Sequence, residues 1–160
     1  HRDLHSFPTR RSSDLIKLIQ KLKHKNPDST IHALEDQAEF SDLKEDEIEL
    51  VKGTLRNRDL LYEGLAELEK DEPNYELIGS LFTEHHAVLR DVLKVSTPKI
   101  ESMLDAALDA GALGGKINGS GGGGCMFAYA PNNSEVIAEA IEKVGGKSYI
   151  VRADEGTIIN

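Results

Sequence analysis

Six consecutive residues carry the densest chemical signal in the chain: Gly119-Ser120-Gly121-Gly122-Gly123-Gly124. Glycine loses more conformational freedom on folding than any other residue. Five glycines in six positions are therefore unfavourable unless the backbone must reach conformations closed to other residues. Such conformations let successive N–H groups converge on one concavity, a nest for an anion. The missing side chains also let a phosphate come close to the main chain. Gly119, Gly121 and Gly124 formally satisfy the dinucleotide pattern G-x-G-x-x-G, but that motif needs a helix opening directly after the loop. Here the loop runs into Cys125-Met126-Phe127, which reads as a strand. No Gly-Lys-Ser/Thr closes it, so it is not a P-loop either. The plain alternative is a flexible hairpin linker. Two flanking strands, with no dilution by several Ser or Thr, favour the anion site.

Other reactive side chains read more simply. Glu84-His85-His86 lacks the i, i+4 histidine pair of a zinc helix, so no metal site is expected there. On a wheel of about 100° per residue, His85 falls in the middle of its helix's apolar face and His86 at the edge. The expectation is a satisfied core or cleft histidine at 85, with His86 bracing the glycine loop as the sharper reading. Arg90 and Asp91 read as an ion pair that positions the next turn. Lys116 is in reach of a phosphate, although a solvated strand lysine is the commoner explanation. Cys125 reads as a small buried residue, since no base can be named to activate it. The acidic run Glu45 to Glu49 reads as a solvated helix face.

The elements that must position these residues are mostly helical. Leu15, Ile16, Leu18, Ile19 and Leu22 predict a short amphipathic helix ending near Asn26-Pro27-Asp28. Ser41 and Asp42 predict the cap of a second helix through Val51, with Glu45 and Glu47 in its first turn. A third is predicted over Thr54–Leu68, broken by Lys70-Asp71-Glu72-Pro73-Asn74. The clearest helix spans Tyr75–Leu93. Thr97 as N-cap and Pro98 at the first helical position start another, which Gly111 ends. Beyond it come a strand at Gly115–Asn118, the glycine loop and a buried strand at Cys125–Ala130. A helix over Glu135–Val144 and a last strand at Ser148–Val151 complete the chain. The predicted fold class is α+β, an antiparallel sheet packed by helices, ferredoxin-like, with a helical amino-terminal part.

Composition bounds the function classes. The chain has 160 residues, one domain's worth, with 39% hydrophobic and 29% charged residues. Its net charge of −9 argues against nucleic-acid binding, which needs a basic stripe. An acidic protein can still hold phosphate through local backbone dipoles. The single cysteine excludes an intrachain disulfide. No apolar run approaches the roughly 20 residues of a membrane span, and a cytoplasmic protein with no membrane partner is the plain reading. Residues 1–15 are basic and Ser-rich, unlike the acidic, periodic remainder. They resemble translated sequencing-adapter read-through, so a non-native leader is expected, with a native loop as the alternative.

A family resemblance joins these pieces. Leu113-Gly114-Gly115-Lys116-Ile117-Asn118 and the glycine loop through Cys125 resemble the third motif of the superfamily uniting galactokinase, homoserine kinase, mevalonate kinase and phosphomevalonate kinase. Glu84-His85-His86-Ala87-Val88-Leu89-Arg90-Asp91, then Val95-Ser96-Thr97-Pro98, resembles the galactokinase stretch E-S-H-x-S-L-R-D followed by V-S-x-P. Arg56, Arg58 and Glu63 match its upstream R-x-R-H…E. Asn118, Ser120 and Gly122 depart from the galactokinase loop, while Lys116 and the four consecutive glycines look more like mevalonate kinase. His85 and Asp59 also depart from galactokinase, which has Ser and His there. The helix is the more discriminating pattern, so galactose is the expected acceptor, with mevalonate or a non-catalytic sugar sensor as alternatives. The resemblance implies that the chain is the carboxy-terminal part of an ATP- and Mg²⁺-dependent kinase. Its first phosphate loop and base Asp would lie in an absent amino-terminal domain, and no catalytic residue or metal ligand would lie in this chain. Gly119 to Gly124 would close over the phosphates, supported by Lys116, Asn118, His86, Arg90 and Asp91.

Overall fold

A computed structural model describes residues 16–21, 40 and 43–152. The leader at 1–15, the Ser41–Asp42 cap and the end of the first helix near Pro27 lie outside the described residues. Residues 16–21 are helical. Helix α1 spans Glu45–Leu68, α2 Tyr75–Ala87, α3 Pro98–Asp109 and α4 Ser134–Lys143. Strands β1 (Gly114–Asn118) and β2 (Cys125–Tyr129) form an antiparallel hairpin in which Gly114 faces Tyr129 and Asn118 faces Cys125. The fold is a helix-rich α+β domain with one small antiparallel sheet.

The helix starts follow from local chemistry. Asn74 caps α2 by accepting the Leu77 N–H at 3.0 Å. Thr97 caps α3 by accepting the Ile100 N–H at 3.3 Å, with Pro98 next to it. Gly111, with φ of 101°, ends that helix's connection, as expected of glycine in the left-handed region.

Two corrections concern helix continuity. The two helices predicted over 42–51 and 54–68 are one, capped at Lys44, whose N–H donates to Glu47 at 3.0 Å. Gly53 looks like a breaker but is buried inside α1, where an added Cβ would stand 2.8 Å from Val92 Cγ1. It is there for close approach. The helix predicted over 75–93 is α-helical only to Ala87, and Val88–Val92 winds as a π turn.

The sheet separates two environments. Ile117, Met126 and Ala128 on one face join Ile100, Met103, Leu104 and Ala107 of α3 and Ile137 and Ile141 of α4. Fully burying a side chain such as Ile100 or Ile117 contributes about 1.5–3 kcal/mol each. On the other face Phe127 and Tyr129 meet Phe82 of α2 edge-on, at ring separations of 4.9 and 5.6 Å. A second core joins Leu18, Leu50, Val51 and Leu55 with Val92 and Leu93.

Two further expectations fail. Ser148–Val151 is not a strand: among the described residues it pairs with nothing, and Val151 is 84% exposed. Alternating apolar residues make a strand only where a neighbour supplies hydrogen bonds. Strand β2 is half-buried rather than buried, and Cys125 is exposed. Cys125 stands at the end of the strand where the glycine loop enters, opposite the exposed Asn118.

Candidate functional site

Helix α2 sets the position of the hairpin. Gly79 of α2 lies against Gly114 at the start of β1 so tightly that a Cβ on Gly114 would fall 1.8 Å from the Gly79 carbonyl oxygen. Neither glycine was singled out from the sequence. An isolated glycine inside a strongly helical pattern was the available signal, since it lowers helix propensity without a local reason.

From this fixed point β1 leads into the loop. Gly119, Gly121, Gly122, Gly123 and Gly124 all have positive φ, from 77° to 132°. The run is therefore required by backbone conformation, as anticipated. Added Cβ atoms at Gly119, Gly123 and Gly124 would meet nothing within 4 Å, so their surface is open. The loop is also tethered, which a flexible linker would not be. The Gly122 N–H donates to the Val95 carbonyl at 2.7 Å, and Gly121 sits against Val95. Among the described residues, Gly122 is the one loop amide that donates to a backbone carbonyl. The other amides of the segment fit an anionic partner in kind: unshielded donors on backbone that side chains cannot cover.

Three of the five residues predicted as supports, His86, Arg90 and Asp91, are joined through Glu101, whereas Lys116 and Asn118 are not. His86 is buried and His85 half-buried, the reverse of the wheel's order. Partners decide this: the Ile117 N–H on the outer edge of β1 donates to His86 Nδ1 at 3.3 Å, and His86 Nε2 lies 2.9 Å from Glu101. With Nδ1 accepting, the ring proton belongs on Nε2. Glu101 also accepts from the Ser96 hydroxyl and from Arg90 at 3.4 Å. Burial raises the Glu101 carboxyl pKa, yet Ser96, His86 and Arg90 outweigh that and hold it below the usual range. Arg90 grips Asp91 through two contacts of 2.8 Å, the ion pair expected, and holds the Asp91 carboxyl low. Glu101 carries no family motif, so the sequence reading missed it.

Lys116 corrects another expectation. It is half-buried rather than solvated: Nζ donates to the Ile117 carbonyl at 3.0 Å and lies 5.5 Å from the Phe127 ring centroid. Burial lowers the pKa of its ammonium group. Asn118, by contrast, is exposed at the end of β1, facing Cys125 across the hairpin. Arg56 joins Glu63 and Glu84, bonding both carboxylates at 2.7 Å. No described helix is long and apolar enough to cross a membrane.

The family model described as GHMP kinases C terminal matches residues 61–147, which include α2, α3, both strands and the loop. The chain belongs to the GHMP kinases. It is similar to a mevalonate kinase of Pyrococcus furiosus, 34% identical over 145 residues, covering 91% of this chain and 37% of the relative. It is more distantly similar to a galactokinase of Streptomyces coelicolor, 35% identical over 66 residues, covering 41% of this chain and 17% of that protein. Among solved structures it resembles Lactococcus lactis galactokinase complexed with galactose, with a TM-score of 0.73 at 20% identity over 85% of this chain and 36% of that one. That last likeness shows the fold. This GHMP kinase domain thus spans about two fifths or less of the length of each relative and corresponds to their carboxy-terminal part.

Proposed function

We propose that the longer protein to which this GHMP kinase domain belongs transfers the γ-phosphoryl group of ATP to a hydroxyl of a small acceptor. The observation that carries this reading is the tethered glycine loop, whose open residues all lie in the left-handed region. In phosphoryl transfer the protein's work is positioning and charge neutralisation. Backbone N–H groups of the Gly119–Gly124 loop other than that of Gly122 would hold phosphate oxygens, fixed in place before the nucleotide arrives and so needing little reorganisation. ATP supplies the phosphoryl group and Mg²⁺ screens its charge. Among the described residues no group of three or more His, Cys, Asp or Glu could hold a metal ion. In this reading the acceptor-orienting base and the residues that would hold the cation lie in the amino-terminal domain. The reaction belongs to a cytoplasmic enzyme in this reading.

For the acceptor, mevalonate now ranks above galactose. The likeness to mevalonate kinase extends over 91% of the chain, and the loop with Lys116 and four consecutive glycines has that character. Galactose remains the second reading, supported by the E-x-H…L-R-D and V-S-x-P stretches that build the support beneath the loop. The test is ATP consumption by the full-length protein with mevalonate and with galactose. Turnover of mevalonate alone is expected. Turnover of galactose alone would overturn the acceptor assignment, and turnover of neither would favour a ligand sensor over an enzyme.

A further inference from the structure

The contacts beneath the loop form a closed ring. Ile117 bonds to His86, His86 to Glu101, and Glu101 to Ser96. Val95, next to Ser96, accepts from Gly122, and Gly122 returns to Ile117 along the chain. Two anchors thus hold the glycine loop, Ile117 before it and Val95 beside it, on different elements. His86 links the two halves: it holds the strand anchor directly and reaches the Val95 anchor through Glu101 and Ser96. It is also almost wholly shielded from water, with 6% of its side chain exposed. A short-range bond in such surroundings holds its geometry better than a solvated one.

We propose that His86 is a positioning residue that sets the spacing of the two anchors of the glycine loop, and thereby the affinity for the nucleotide's phosphates. For the nucleotide this rests on the kinase reading above; the coupling between anchors does not. A histidine is suited to the task because its two nitrogens can serve opposite polarity at once, one accepting from Ile117 and the other donating to Glu101. A role as core filler would be met by any side chain of similar size.

Three variants separate the possibilities. His86→Asn keeps an acceptor where Nδ1 lies and loses the Glu101 contact. His86→Gln keeps a donor toward Glu101 and loses the Ile117 contact. His86→Ala loses both. Hydrogen exchange at the Ile117 and Gly122 amides is followed on the full-length protein. Steady-state kinetics are followed on the full-length kinase.

Both single-contact variants are expected to speed exchange at Gly122 about tenfold, the equivalent of one lost hydrogen bond. Only His86→Asn should keep Ile117 protected. In the full-length kinase each should raise the KM for ATP about tenfold on the same grounds, with the acceptor KM within about twofold. Unchanged Gly122 exchange in the two single-contact variants overturns the coupling. Equal rises of the ATP and acceptor KM reduce His86 to a structural role. Should His86→Ala not fold, the other two variants decide alone. Should the full-length protein phosphorylate neither acceptor, the kinase reading falls while the exchange result, which needs no turnover, still judges the coupling.

Discussion

Burial, and after it the positive charge of nearby Lys116, push the half-buried His85 imidazole down to about 4. In the unfolded chain the same ring binds its proton near pH 6.5. Between those values the unfolded state holds more protons, so His85's contribution to stability is intact above pH 6.5 and falls as pH drops toward 4. Proton NMR of the His85 ring should show no titration from roughly pH 8 to 5, and urea melts should lose stability over the lower part of that range. A midpoint near 6.5 would contradict the burial. The loop glycines make a second prediction. Gly123→Ala and Gly124→Ala meet no neighbour and should cost only the left-handed backbone penalty, about 1–2 kcal/mol. In Gly121→Ala the new Cβ would stand 2.5 Å from Val95 Cβ, so a larger loss of about 3 kcal/mol is expected by urea denaturation. The glycine run was legible because positive φ is a local demand with a local signature. His85 and His86 were exchanged because a helical wheel reports hydrophobic direction and is blind to a strand amide arriving from 31 residues away. Lys116 was misjudged for the same reason, since Phe127 reaches it only across the hairpin.

Among elements, the α2–β1 contact is the least forgiving. Backbone faces backbone at Gly79 and Gly114, and no rotamer can relieve an added methyl group. Gly114→Ala should remove about 4 kcal/mol or more, close to the whole stability of a small domain. Gly111→Ala, left-handed but unobstructed, should lose about 1–2 kcal/mol. Thermal melts followed by circular dichroism distinguish the two. The starts of α2 and α3 and the end of α3 could be read in advance because their caps lie within three residues of the helices they serve. The continuity of α1 could not. Gly53 has two meanings, breaker and close contact, and only the arrival of Val92 selects the second. Ser148–Val151 failed in the opposite sense, with strand-like residues and no partner strand among the described residues.

At the scale of the whole molecule, Leu61, Leu65 and Leu68 line one side of α1 at 58%, 46% and 56% exposure, beside Tyr62 at 57%. An apolar stripe of this kind marks a surface that associates. Sedimentation of this chain alone should show self-association that the double variant Leu61→Ser, Leu65→Ser reduces, while its stability changes by less than about 1 kcal/mol. A monomeric wild type would contradict this. The overall class was readable from alternating helical and strand periods; the way one turn sends Leu89 to the first core and Val92 and Leu93 to the second was not, because it depends on the π winding. That turn winds one residue more than an α-helix would between Ala87 and Leu93. Deleting any single residue there would straighten the rod and strengthen it locally. Had the same residues wound as a regular α-helix instead, everything downstream would be rotated by roughly 100°, carrying the Val95 carbonyl away from Gly122. The irregular winding is thus a phase adjuster: it absorbs the additional residue so that the Val95 carbonyl still meets Gly122.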